Sequence, residues 1–325
     1  MGSGQAYKYR LLYLFDHLAI INPPPGKENI ISQFIKSIKK VKFYWMLLIF
    51  FISFILILNI YYLFNTATNE GPWQSHYERI ATTTIKGNDV VIHNFRRARY
   101  DKNGTIKNLN WSDRTVNLDK LEKIWYGISV FASPGLAHTF LSFDFGENDP
   151  VVISVEARMR PEQQYHPLKG ALDNYHLIYV IADEQDIIGV RTHKRSEDVY
   201  FMPINVSKER SQKMFLDMVN RANHLETLPE FYNTFTSNCT NSIMKNTKLR
   251  PWQYYFDPRI ILSGYSDRIA YQYGILDQNF TQQVIREASR IKITDFTDED
   301  PEFHNKIRAS YYNKLEDDSE IVTIE

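Results

Sequence analysis

From Phe43 to Phe64 the chain reads FYWMLLIFFISFILILNIYYLF, 22 residues without one charged side chain. An α-helix rises about 1.5 Å per residue and the hydrocarbon core of a bilayer is about 30 Å thick, so this run can cross once with tilt to spare. Phe43, Tyr44 and Trp45 mark one end and Tyr61 and Tyr62 the other, where amphipathic rings sit at headgroup level. A core helix of a globular domain seldom stays apolar on every face for this length, and a cleavable signal carries an apolar stretch of only about 7–15 residues. The run therefore reads as an uncleaved transmembrane anchor, residues 43–64. Lys27, Lys36, Lys39, Lys40 and Lys42 precede it, whereas Asn65 to Glu78 carries neither Lys nor Arg. The positive-inside tendency then predicts a cytoplasmic segment 1–42, a single pass through the inner membrane, and an exported C-terminal part facing the periplasm.

Lys plus Arg and Asp plus Glu both number 38, which removes any polyanion-binding character and with it nucleic acid as a partner. The chain has a single cysteine, Cys239, so the exported fold rests on its hydrophobic core and not on disulfides. A lone thiol in an oxidising compartment is either buried and inert or retained for its reactivity.

Within the cytoplasmic segment, Leu11–Ile21 is apolar but too short to span, which suits a surface-lying helix ended by Pro23, Pro24 and Pro25. Beyond the anchor, period-two patterns predict strands at 89–100, 123–131, 138–145, 151–158, 177–182, 187–192 and 199–204. Their spacing indicates an α+β fold with a mostly antiparallel sheet. At Ser207–Leu225 the period changes, with Phe215, Met218, Val219, Ala222 and Leu225 on one helical stripe and Ser207 as N-cap. Residues 241–290 read as helix in pieces, interrupted at Pro251, Pro258 and Gly264. Residues 65–290 form the periplasmic domain, and 291–325 reads as an acidic, partly disordered, solvated tail.

Three residues stand out for chemistry. His138 opens HTFLSFDF and Glu156 lies near the end of VVISVEAR, and the two runs flank the hairpin loop Gly146–Pro150. Pairing around that loop brings His138 opposite Glu156 or its neighbours. Alternation then places His138, Phe140, Ser142 and Asp144 on the same polar side as Val152, Ser154, Glu156 and Arg158. A carboxylate there can orient an imidazole and favour its charged form. Cys239, in TSNCTNSIM, follows good N-cap residues and falls in the first turn of a helix, where the dipole and a nearby imidazolium favour the thiolate. The free N–H groups of that turn, with the Asn238 amide, are candidate oxyanion donors. The bland alternative is a hydrogen-bonded strand-end histidine beside a surface ion-pair cluster. Among the histidines there is no HExxH spacing, the acidic tail lacks a calcium-loop pattern, and no Gly-rich phosphate loop occurs, so neither metal nor cofactor is expected.

At AHTFLSFDF (137–145), ISVEARM (153–159), IADEQDIIGVRT (181–192), PEFYNTFTSNCT (229–240) and SGYSDRIAYQYGIL (263–276), the chain resembles the Lnb N-terminal periplasmic domain family. The likeness runs from about Trp73 to about Leu276. It implies a permuted papain-like or NlpC-like fold in which the histidine precedes the cysteine. It also implies lipoprotein N-acyltransferase activity, with phospholipid as acyl donor and a lipoprotein amino terminus as acceptor. The family's histidine maps to His138 and its cysteine to Cys239; Glu156 as third member comes from the hairpin. Arg158, Tyr165, Arg191 and Asn233, in or near those motifs, are donors for a substrate phosphate or carboxylate, with packing or surface pairing as the other reading. The function expected is thiol-dependent acyl transfer. A peptidase or amidase acting on peptide or peptidoglycan, and a non-catalytic envelope module with a buried Cys239, are the alternatives.

Overall fold

The computed structural model describes residues 30–101, 103–146, 150–245, 247, 257–291 and 299–322. The surface helix expected at Leu11–Ile21 lies outside them. The chain divides after Thr66 into two compact units. The first contains helix α1, Ile30–Phe64, whose segment Lys36–Phe64 is long and apolar enough to cross a membrane.

The second unit is an α+β domain. Its strands are β1 (Thr82–Lys86), β2 (Asp89–Tyr100), β3 (Ile106–Asn117), β4 (Lys123–Val130), β5 (Ala137–Asp144), β6 (Val151–Arg158), β7 (Tyr175–Ala182), β8 (Asp198–Ile204) and the short β9 (Phe231–Tyr232). Among the described residues they form one nine-stranded sheet in the order β1-β2-β7-β6-β5-β4-β8, with β3 on β2 and β9 on β7. Pairing is antiparallel except for β2 with β7. The helices are α2 (Pro167–Ala171), α3 (Lys208–Thr227), α4 (Cys239–Met244), α5 (Pro258–Ile261), α6 (Ser266–Gln272), α7 (Gln282–Ser289) and α8 (Phe303–Val322).

The central strands β5, β6 and β7 are buried on both faces, which is why they read as dense apolar runs. On one face Phe143 and Phe145 meet Phe215 of α3 edge-on, at 5.1 and 5.3 Å between ring centroids. Ser207 caps α3 through the Arg210 amide, as its sequence position requires. On the face that carries His138, α8 packs over Trp125, with Tyr311 and Tyr312 edge-on to the indole.

Two expectations change here. The segment 187–192 is not a strand but part of a π-helix, Gln185–Lys194, buried from Asp186 to Thr192. A short continuous apolar run does not distinguish strand from helix. Tertiary pairing decides it: Asp186 accepts two bonds from Arg96 of β2, at 2.8 and 2.9 Å, and one from the Tyr100 hydroxyl. Nor is 291–325 a solvated tail where it is described. Phe303, Ile307, Tyr311 and Leu315 of α8 are buried, and Arg308 pairs with Glu184 and Asp144. Its acidic residues mask an apolar stripe at helical spacing.

Candidate active site

The β5–β6 register pairs Phe140 with Ser154 and Leu141 with Ile153, and its continuation by two residues sets His138 opposite Glu156. Gly127 of β4 lies opposite Phe140, and a Cβ there would stand 2.2 Å from the Phe140 ring. The missing side chain lets that ring lie flat beside the imidazole, with centroids 6.3 Å apart. His138 Nε2 is 3.2 Å from Glu156 Oε1 and 2.7 Å from the Ser154 hydroxyl, which donates to Glu156 at 2.6 Å. Ser154 thus bridges base and carboxylate. Arg191, carried in by the π-helix, donates to the same carboxylate oxygen at 3.0 Å and to the Ile187 carbonyl at 2.6 Å.

Cys239 is the first residue of α4. Asn238 caps this helix in a reciprocal capping box with Asn241, its side-chain oxygen accepting from the Asn241 amide at 2.8 Å. The N–H groups of Cys239 and Thr240 come ahead of the first intrahelical bond and have no acceptor inside the helix. The helix is pinned to β5 by the Thr139 and Thr240 hydroxyls, 3.2 Å apart. Cys239 and His138 border one cavity, where the charge of each acts on the other.

The electrostatics follow from this packing. Burial alone would suppress the imidazolium, but Glu156 and Cys239 outweigh it and raise His138 to about 9. Burial also opposes the thiolate, yet the charge of His138 and, after it, nearby Thr139 bring Cys239 down to about 7. Glu156 is held well below the usual carboxylate range, against its own burial, by His138 and Arg191. Burial and then Arg96 lower nearby His76 to about 4, so it is neutral.

Two hollows meet at the sulfur. One, of about 290 Å³, is walled by His76, Tyr77, Arg195 and Glu197 together with His138 and Glu156. The other, of about 160 Å³, is lined by Phe131, Leu136, Leu168, Phe235 and Ile261. Cys239, Phe131, Ala137, Tyr165 and Tyr232 border both.

The remaining predicted residues have other tasks. Asn238 donates one of its two side-chain N–H groups to the Thr234 carbonyl at 2.7 Å, and it lines the apolar hollow. Arg158 is buried, donates to the carbonyls of Tyr77 and Glu78, and stacks on Trp73 at 4.3 Å. Asn233 organises the turn before α4, accepting from the Phe235 and Thr236 amides and donating to Asp173. Neither Arg158 nor Asn233 lines either hollow. Ser154 and Thr139 were not singled out by sequence. Ser154 was within reach of the alternation that found Glu156, whereas the role of Thr139 needs the docking of α4.

An apolar helix of spanning length joined to this domain fits a single-pass membrane protein. No curated protein and no solved structure matches the chain. The family model described as the Lnb N-terminal periplasmic domain matches residues 107–259, the span that holds His138, Glu156 and Cys239, so that this part of the chain is similar to that family.

Proposed function

We propose that the protein is a membrane-anchored cysteine acyltransferase that faces the periplasm from the inner membrane, with its N-terminus cytoplasmic. The single observation that carries the reading is the position of Cys239: beside His138 in a charged hollow and at the border of an apolar one. A fatty acyl ester is a molecule of that shape, with a polar ester and headgroup at one end and a hydrocarbon chain at the other. Cys239 thiolate attacks the ester carbonyl, and the lipid alkoxide leaves with the proton of the His138 imidazolium, giving a thioester and neutral imidazole. The Cys239 and Thr240 N–H groups are placed to receive the oxyanion. A lipoprotein amine then attacks the thioester, His138 takes its proton, and the thiolate leaves. Glu156, Ser154 and Arg191 hold the imidazole in place and do not touch the reacting atoms.

Intact mass spectrometry of the full chain incubated with phospholipid tests the reading. The expected result is a fatty-acyl adduct that hydroxylamine removes and that Cys239→Ser does not form; no adduct on either protein sinks it. A second reading, hydrolysis of peptide or peptidoglycan amides, is favoured by the charged wall of the larger hollow alone. Release of amide products by a protein that forms no lipid adduct would select it.

A further inference from the structure

Phe131, Leu168, Leu172, Phe235, Ile261 and Leu262 are between 41% and 68% exposed, in a domain whose other large apolar side chains are mostly buried. Four of them line the apolar hollow at Cys239, and together they come from four separate chain segments. Those segments are locked together. Thr234 bonds the Pro167 and Gly170 carbonyls at 2.8 and 3.3 Å, and the Gly264 amide donates to the Gly135 carbonyl at 3.1 Å. A pre-formed rim of this kind costs free energy in water and marks an interaction surface.

We propose that this rim seats in the interfacial layer of a phospholipid bilayer, so that the apolar hollow opens onto the acyl chains of the leaflet. The choice of a bilayer over a protein rests on covalent reach. Asn69 is already tied into the domain, donating to the Leu225 and Glu226 carbonyls at 2.9 and 2.8 Å. Only five residue steps separate it from Phe64 at the end of α1, at most about 18 Å of extended chain. A bilayer crossed by α1 is therefore always within reach of the domain. The rim chemistry agrees: phenyl and leucyl groups to enter the acyl boundary, and exposed Lys169, between Leu168 and Leu172 in sequence, to meet lipid phosphates. The inference deepens the acyl-transfer reading, since its biological purpose rests on it, but it is measured without any chemistry.

The test uses the full chain carrying Cys239→Ser, reconstituted in phosphatidylethanolamine–phosphatidylglycerol vesicles. Single nitroxide labels are attached through Leu168→Cys, Phe235→Cys and Leu262→Cys, with Lys213→Cys on α3 as the water-facing reference. These side chains are exposed and lie on separate segments, so each reports independently of the folding of the others. Collision with oxygen and with a nickel chelate is read by power saturation. The expected result is a shift to high oxygen and low nickel-chelate collision at the three rim positions and the reverse at 213. Water-like collision at all four positions overturns the proposal. So does shielding of the rim from both reagents, which would mean that a protein partner or a second copy covers it. Because the labelled chain cannot transfer an acyl group, either outcome stands apart from the success or failure of the adduct experiment.

Discussion

The two hollows that share Cys239 are built by different means. The charged one is specified by long-range pairing: His138 and Glu156 from adjoining strands, Arg191 from the π-helix, and Arg195 and Glu197 at the C-terminal end of that helix and just beyond it. Its members depend on one another's charge. The apolar one is assembled mostly from loops and short helices, and among the described residues its wall carries no Asp, Glu, Lys, Arg or His. On the acyl-transfer reading, the difference assigns reactivity and substrate choice to separate walls of one site, so each should be alterable without the other.

The sharpest way to break this division is at the sulfur that both walls share. Cys239→Ser should abolish transfer for every donor, a loss of at least about 10⁴-fold, and His138→Ala about 10²- to 10⁴-fold, both read as acyl-adduct formation rates. A Cys239→Ser protein that still loads a short-chain donor would remove the thiol from the reaction. The pH profile is set by the charged wall alone. Attack requires the Cys239 thiolate and alkoxide departure requires the His138 imidazolium, so the rate of loading should rise through about 7 and fall through about 9. The same bell should appear with long and short donors.

Glu156→Gln comes next. It removes the carboxylate that raises His138, so the alkaline limb should move to lower pH, and it leaves Arg191 and His138 without their buried counter-charge. Breaking such a pair costs about 3–5 kcal/mol, measurable by urea unfolding. An unmoved alkaline limb would detach Glu156 from the imidazole. On the apolar wall, Phe235→Ser should raise KM about tenfold for long-chain donors, the equivalent of losing part of one buried phenyl, and leave short-chain thioesters unaffected. An equal effect on both donors would erase the division between the walls. The smallest effect is expected far from either hollow: Lys213→Ala removes an exposed helical ion pair with Asp217 at 2.8 Å and should shift stability by no more than about 0.5 kcal/mol.

The legibility of this molecule in its sequence follows the same division. Strands β2 and β6 and the N-cap of α3 were readable because local alternation and capping chemistry determine them. So was the pairing of His138 with Glu156, since a hairpin has few registers and a side chain has only two faces to choose from. Strands β1 and β3 were missed because they are half-exposed and polar, with no apolar face to reveal their period. The π-helix reads as a strand because its shape depends on Arg96 and Tyr100, 90 and 86 residues away in the chain, bonding to Asp186. The apolar hollow was invisible for a related reason: Phe131, Leu168, Phe235 and Ile261 meet only after four segments converge, and no periodicity announces them. Arg158 and Asn233, whose donors go to neighbouring groups of the fold, belong here too. A donor in a motif reads the same whether it will serve a ligand or a neighbouring carbonyl.

The placement of α8 makes the sheet dependent on a segment remote in sequence. Trp125 and Phe201 receive their cover from Arg308, and Trp125 also from Tyr311. A cooperative domain does not close around a missing layer, so these helical turns are part of the fold and not an appendage to it.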